Sequence, residues 1–203
     1  MKTKIVEASF IIAFILSVIS VLSFGKTCDS IRPQVLRLHV LANSNSTEDQ
    51  QLKLKVRDAV LTEGEKTIGK ITSKVQAQEK IRECLPSLQK AAEEEIKKNG
   101  SNYSVKIEIG KSYFPTKTYE NITMPAGVYD AVRVLIGSAE GKNWWCVMFP
   151  NLCLPAAQGS AKAEDVFSTD EIKLLKSKPK YEIRFWIIEK YENIKQRLLE
   201  KGS

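Results

Sequence analysis

The sequence predicts an α+β fold: a single domain, mostly antiparallel sheet with helices packed on one side, placed after an N-terminal signal or anchor helix. Three observations lead there. Lys2 and Lys4 precede an uncharged run, Ala8 to Phe24, made mainly of Ile, Phe, Leu and Val, as in a signal peptide or a short membrane span. Beyond it the hydrophobic pattern switches between a period of two and one of about three and a half. No Pro-, Gly- or Ser-rich linker divides the exported part, so one core is expected. The organisation read from this is residues 1–25 as signal peptide or membrane anchor, 26–165 as the exported α+β domain, and 166–203 as a basic extension whose terminal helix packs on the domain.

The elements follow in order. Basic residues hold the N-terminus inside, so the chain after about residue 26 is carried across the membrane. Ser23-Phe24-Gly25 offers a small-x-small cleavage site. Lys26, two residues before Cys28, spoils the lead-in for a lipid-modified cysteine. Val35 to Leu41 reads as a largely buried strand. Asn43-Ser44-Asn45-Ser46 ends it, and Ser46 with Asp49, or Thr47 with Gln50, caps a helix whose Leu52, Val56, Ala59 and Val60 share one face. A second helical pattern covers Lys74 to Lys98, with Val75, Ile81, Leu85, Leu88, Ala92 and Ile96 inward, and Pro86 must break or kink it. Asn99-Gly100 stops that helix. Tyr103 to Ile109 alternates as a half-buried strand, and a Pro-interrupted strand spans Tyr113 to Glu120. After Pro125-Ala126-Gly127, strands Tyr129 to Gly137 and Asn143 to Phe149 are expected to form a hairpin through Ser138 to Lys142. Ser168-Thr169-Asp170-Glu171 then precedes a lysine-rich link and a terminal helix. That tail carries nine Lys or Arg against five Asp or Glu over residues 171–203, which suits either a membrane-surface or partner helix or an ordinary packing helix with a solvated face.

Two tryptophans and two cysteines fall between Gly141 and Cys153. On a period of two, Trp145, Val147 and Phe149 share one face, and Trp144, Cys146 and Met148 the other. One tryptophan is then in the core and the other free to anchor a partner, or both are buried in a two-sided sheet. If Phe149 to Leu152 forms a turn, Cys146 and Cys153 face each other at a separation that a disulfide tolerates. Two buried free thiols, or a reactive thiol, remain as alternatives.

Chemistry is sparse. His39 is the sole histidine and lies in an apolar strand. Neither a nucleophile motif nor a C-x-x-C spacing occurs, so no catalytic residue, metal or cofactor is assigned. The chain carries a net charge of +7, and losing residues 1–24 removes two lysines and one glutamate, which leaves +6 on the domain. Nucleic acid is the usual partner of such a charge, but export excludes it and leaves phospholipid headgroups and wall polymers.

Arg37-Leu38-His39-Val40-Leu41-Ala42-Asn43-Ser44, the segment Asp49 to Val60, Pro125-Ala126-Gly127 and the run Gly141 to Cys153 together resemble the stage II sporulation protein R family. The resemblance spans about Leu36 to Cys153; the final fifty residues and Thr62 to Lys98 add little to it. It implies an exported signalling protein of endospore formers. Such a protein is made in the forespore and secreted into the space between forespore and mother cell, or anchored with its domain there. Its partner is a membrane-embedded aspartic protease, the sporulation sigma-E factor processing peptidase, which it activates to release sigma factor E from its pro-form. Contact residues are then expected at Trp144 or Trp145 and in the capped loop at Asn43, Ser44 and Asn45, and the N-terminal segment could also touch the membrane surface. The rival is an exported wall hydrolase using His39 and Asn43 with a thiol or carboxylate.

Overall fold

The computed structural model describes residues 2–68, 71–119, 121–152, 162–176 and 182–200. Helix α1, Lys2–Ile31, runs unbroken through the apolar segment. The helical stretch Thr3–Gln34 is long enough, and its apolar part apolar enough, to cross a membrane. A 3-10 turn, Arg32–Gln34, leads into β1, Leu36–Leu41. Helices α2 (Thr47–Ile68), α3 (Lys74–Glu83) and α4 (Leu85–Lys98) follow. Next come β2 (Val105–Phe114), the short strands β3 (Lys117–Tyr119) and β4 (Ile122–Met124), then β5 (Gly127–Ile136) and β6 (Asn143–Phe149). Helices α5 (Ala163–Val166), α6 (Thr169–Leu175) and α7 (Glu182–Glu200) complete the described chain.

Local chemistry sets the helix ends. The Ser46 hydroxyl accepts from Asp49 N at 3.1 Å and so caps α2. The expected break falls at Cys84, with Pro86 in the first turn of α4, where its missing N–H costs no hydrogen bond. Gly100, at φ 71°, closes α4 in the left-handed conformation. Val75, expected inward, is exposed; Ala77 takes the buried position in α3.

The main sheet has the order β2-β5-β1-β6, with β1 parallel to β5 and the other two pairings antiparallel. It is thus α+β with a mostly antiparallel sheet, but the expected hairpin is not one. β5 and β6 lie antiparallel with β1 inserted between them. The physical reason is β1 itself: its run Leu36 to Val40 is buried on both faces and needs a neighbour on each side. Leu36, Leu38 and Val40 meet Val132, Val134, Cys146 and Met148 on one face, under α2, α3 and α4. Phe149 joins that same core, against the alternation expected from Val147, because a bulge shifts the register between Leu36 and Arg37.

Helices α2, α3 and α4 form the expected layer on one side, and the other face is partly covered as well. The last turns of α1 bring Phe24, Cys28 and Ile31 against Phe114, Tyr129 and Val147, together with Leu175, Phe185 and Ile188 of the C-terminal helices. Residues on either side of the expected 25/26 boundary therefore share a core with the domain. Glu171 locks this layer: it completes a capping box with Ser168 and accepts from Ser30 at 2.6 Å and Gln34 at 2.9 Å.

Candidate functional site

The second sheet face also carries a polar cluster around His39, which is buried. Alternation along β1 points Arg37 and His39 away from the helical core, since Leu36, Leu38 and Val40 point into it. His39 sits beside Trp145 of β6 in register and stacks on it, with centroids 6.0 Å apart and rings 19° from parallel. Its Nδ1 lies 3.1 Å from the Ser112 hydroxyl and its Nε2 2.7 Å from the Asn143 side-chain oxygen. Burial lowers the imidazole pKa; the Asn143 hydrogen bond opposes this, and the charges of Arg133 and Arg37 add to it. On the flank, Glu108 pairs with Arg133 at 2.8 Å and Lys106 at 2.6 Å.

Arg37 forms the floor. It is fully buried, and its guanidinium lies 4.2 Å from the Phe114 centroid and 4.9 Å from that of Tyr129. It donates to Tyr119 Oη at 2.6 Å, and Tyr119 donates to the Trp145 carbonyl at 3.0 Å. The small hairpin β3–β4 is thereby tied to β6.

The two tryptophans differ as the period of two requires. Trp145 is half-buried beneath Lys117, whose ammonium stands 4.9 Å from its ring. Trp144 points to the helical side and is 36% exposed, with the Arg57 guanidinium 4.3 Å over its ring. Trp144 is therefore the exposed member, and Arg57 holds it in place.

Asn43, Ser44 and Asn45 stand apart from His39. The Asn43 side chain accepts from Ser138 N at 3.0 Å and donates to Asp49 at 2.9 Å; Ser44 donates to the same carboxylate at 2.6 Å. Asn45 accepts from Lys142 N at 2.8 Å. The hydrogen bonds that Ser44, foremost, and Asn43 donate to it lower the Asp49 pKa. The loop braces the connection from β5 to β6. The hydrolase constellation of His39 with Asn43 is not brought together.

Cys146 is buried and disulfide-bonded, whereas Cys28 and Cys84 are free. Cys153 lies outside the described residues. Among the described residues no group of three His, Cys, Asp or Glu could hold a metal ion. Sequence reasoning missed Arg37, Ser112 and Asn143. Arg37 was within reach, because a basic residue two before His39 in an alternating strand must share its face.

Comparison with known proteins gives a consistent picture. The family model described as stage II sporulation protein R matches residues 32–158, which include the whole sheet. A relative named stage II sporulation protein R, from Bacillus subtilis (strain 168), is 44% identical over 135 residues, covering 66% of this chain. The match spans 60% of that relative's length. No solved structure matches. The matched region holds β1 to β6 and both tryptophans, and the chain belongs to the stage II sporulation protein R family.

Proposed function

We propose that this chain is an exported signalling protein of sporulation. It is made in the forespore, acts from the space between forespore and mother cell, and activates a membrane-embedded aspartic protease that frees sigma factor E from its pro-form. The observation that carries this reading is the rigid presentation of Trp144 within the family-matched sheet. It is a large exposed aromatic on the edge strand β6, held by Arg57, and rigid aromatics of this kind are common interface anchors. A disulfide from Cys146 to Cys153 would fix the chain just beyond β6.

The test is reconstitution in a host that does not sporulate, with the chain co-expressed with the candidate protease and its pro-factor. Processing is expected with the intact chain and absent without it. Trp144→Ala should cut it at least tenfold at equal amounts of exported protein. Processing by every folded Trp144 and Trp145 variant at the full rate would refute the contact assignment.

One observation favours the rival hydrolase. Ser112, His39 and Asn143 form a hydroxyl–imidazole–amide chain, the order taken by a nucleophile, its base and an orienting group. A folded His39→Ala variant separates the readings: it abolishes hydrolysis of wall material in the rival and leaves signalling intact in ours.

A further inference from the structure

Helix α7 carries two unlike faces. Phe185 packs edge-on against Phe24 of α1 at 5.0 Å, Ile188 lies beside Gly25, and Glu192 pairs with Arg32 at 3.1 Å. Glu189 accepts from Thr116 N on the same side. The opposite side exposes Ile183 at 75% and Trp186 at 60%, with Lys190 standing 5.7 Å from the Trp186 ring. At about 100° per residue, Lys190 and Arg197 lie on the half that carries Ile183 and Trp186, while Glu192 faces the domain. Exposed apolar groups interleaved with bases are the pattern of a helix at an anionic lipid surface.

Position decides the occupant. If α1 is a retained anchor, its apolar part from Ile5 to Phe24 spans about 30 Å at 1.5 Å per residue, the thickness of a bilayer's hydrocarbon core. Leu16, Ile19 and Ser23 then lie in the leaflet on the domain's side. A crevice joins these three residues to Lys173 and Leu174 of α6 and Arg184 of α7. The crevice runs from that leaflet outward to Thr27, so its polar residues sit at the boundary with the headgroups. Asp170 also lines it and lies 3.6 Å from Lys173. α7 follows α1 outward from there, since Glu192 reaches Arg32, so its first turns are closest to lipid.

We infer that the first turns of α7, with Lys173 of α6, are a second membrane contact: Ile183 and Trp186 enter the interface of an anionic phospholipid bilayer while Lys173 and Lys190 meet its phosphates. This rests on the reading of α1 as a retained anchor. The contact fixes how the domain stands on the membrane, which a single helix leaves free to rotate and tilt.

The experiment uses the full chain reconstituted in phosphatidylcholine vesicles containing about one-third phosphatidylglycerol, with phosphatidylcholine brominated near the headgroup as the quencher. The emission difference between wild type and Trp186→Phe isolates Trp186. At least half of that difference signal should be quenched by the brominated lipid, against little of the Trp144 and Trp145 emission. Lys173→Glu with Lys190→Glu should lower the Trp186 quenching at least twofold. Alkaline carbonate extraction separates the two readings. Release of the chain overturns the anchor, and the lipid contact with it. Retention of the chain with Trp186 unquenched overturns the lipid contact alone.

Discussion

Replacing Gly141 with alanine tests the inserted-strand topology. Gly141 begins the last stretch of chain before β6 and passes directly over the end of β1. A Cβ there would overlap the Ser44 carbonyl oxygen, 2.7 Å from its carbon, and would stand 2.9 Å from the Ala42 Cβ. The obstacle is backbone, which the capped loop holds in place, so the connection has to lift. Lifting it lengthens Gly141 N to Ala42 O, now 2.9 Å, and Lys142 N to Asn45 Oδ1, now 2.8 Å. It also disturbs the bond from Lys53 Nζ to the Lys142 carbonyl at 2.8 Å. At about 1 kcal/mol for each hydrogen bond, and with some strain remaining, the cost is about 3–4 kcal/mol. For a domain of this size that corresponds to a fall in Tm of roughly 6–16 °C. Gly110→Ala is the control, because nothing lies within 4 Å of its Cβ position; it should stay within about 0.5 kcal/mol of wild type. Thermal and urea unfolding of the full chain in micelles, followed by tryptophan emission, measures both. Equal melting of the Gly141 and Gly110 variants would mean that the β5–β6 connection does not pass under the Ser44 loop, and the strand order would be wrong.

Three further outcomes are expected. Serine at Cys146 or Cys153 should each cost about 2.5 kcal/mol, the chain-entropy value for an eight-residue loop, with the double variant no worse than either; free thiols at both positions in freshly exported protein, seen by peptide mapping, would remove the pairing. His39 has a folded pKa below its unfolded value, so its contribution to stability is complete above about pH 6.5 and is lost as pH falls through the folded value. Melts between pH 7.5 and 5.5 should show this decline in wild type and not in His39→Gln, whereas the lowered carboxylates Asp49 and Glu171 act only below about pH 4.5. Finally, Trp144→Ala should leave Tm within a few degrees while cutting pro-factor processing at least tenfold, a cost of about 1.4 kcal/mol in contact energy; unchanged processing would exclude Trp144 as an anchor.

Most elements were legible because their signals are local. Ser46, Pro86 and Gly100 mark helix ends through their own backbone chemistry, and these marks do not depend on what the helices pack against. Strand order is a different matter. A five-residue link between two strands looks the same whether they pair directly or straddle a third, and Ser138 to Lys142 has hairpin chemistry in either case. The deciding clue was at a distance, in the two-faced burial of Leu36 to Val40. The face of Phe149 was hidden for a related reason, since a bulge changes the alternation without changing composition. The second core was missed because the N-terminal segment was treated as an address and set apart from the fold, although Phe24, Cys28 and Ile31 are built into the domain.

The same separation of local from distant explains the site. The pleat puts the two tryptophans on opposite faces but leaves open whether both are buried; the exposure of Trp144 follows only from where the helices lie. Asn43 and Ser44 looked available because polar residues after a strand usually are, yet the inserted β1 ends inside the β5–β6 connection, and its following loop must satisfy that connection's amides. Arg37 was the least expected part. A buried guanidinium is tolerable only where other groups replace its water, and here the rings of Phe114 and Tyr129 and the hydroxyl of Tyr119 take that part. Because Tyr119 also holds the Trp145 carbonyl, the aromatic floor and the edge strand move together. The His39 cluster above them, itself buried, is therefore held in one arrangement.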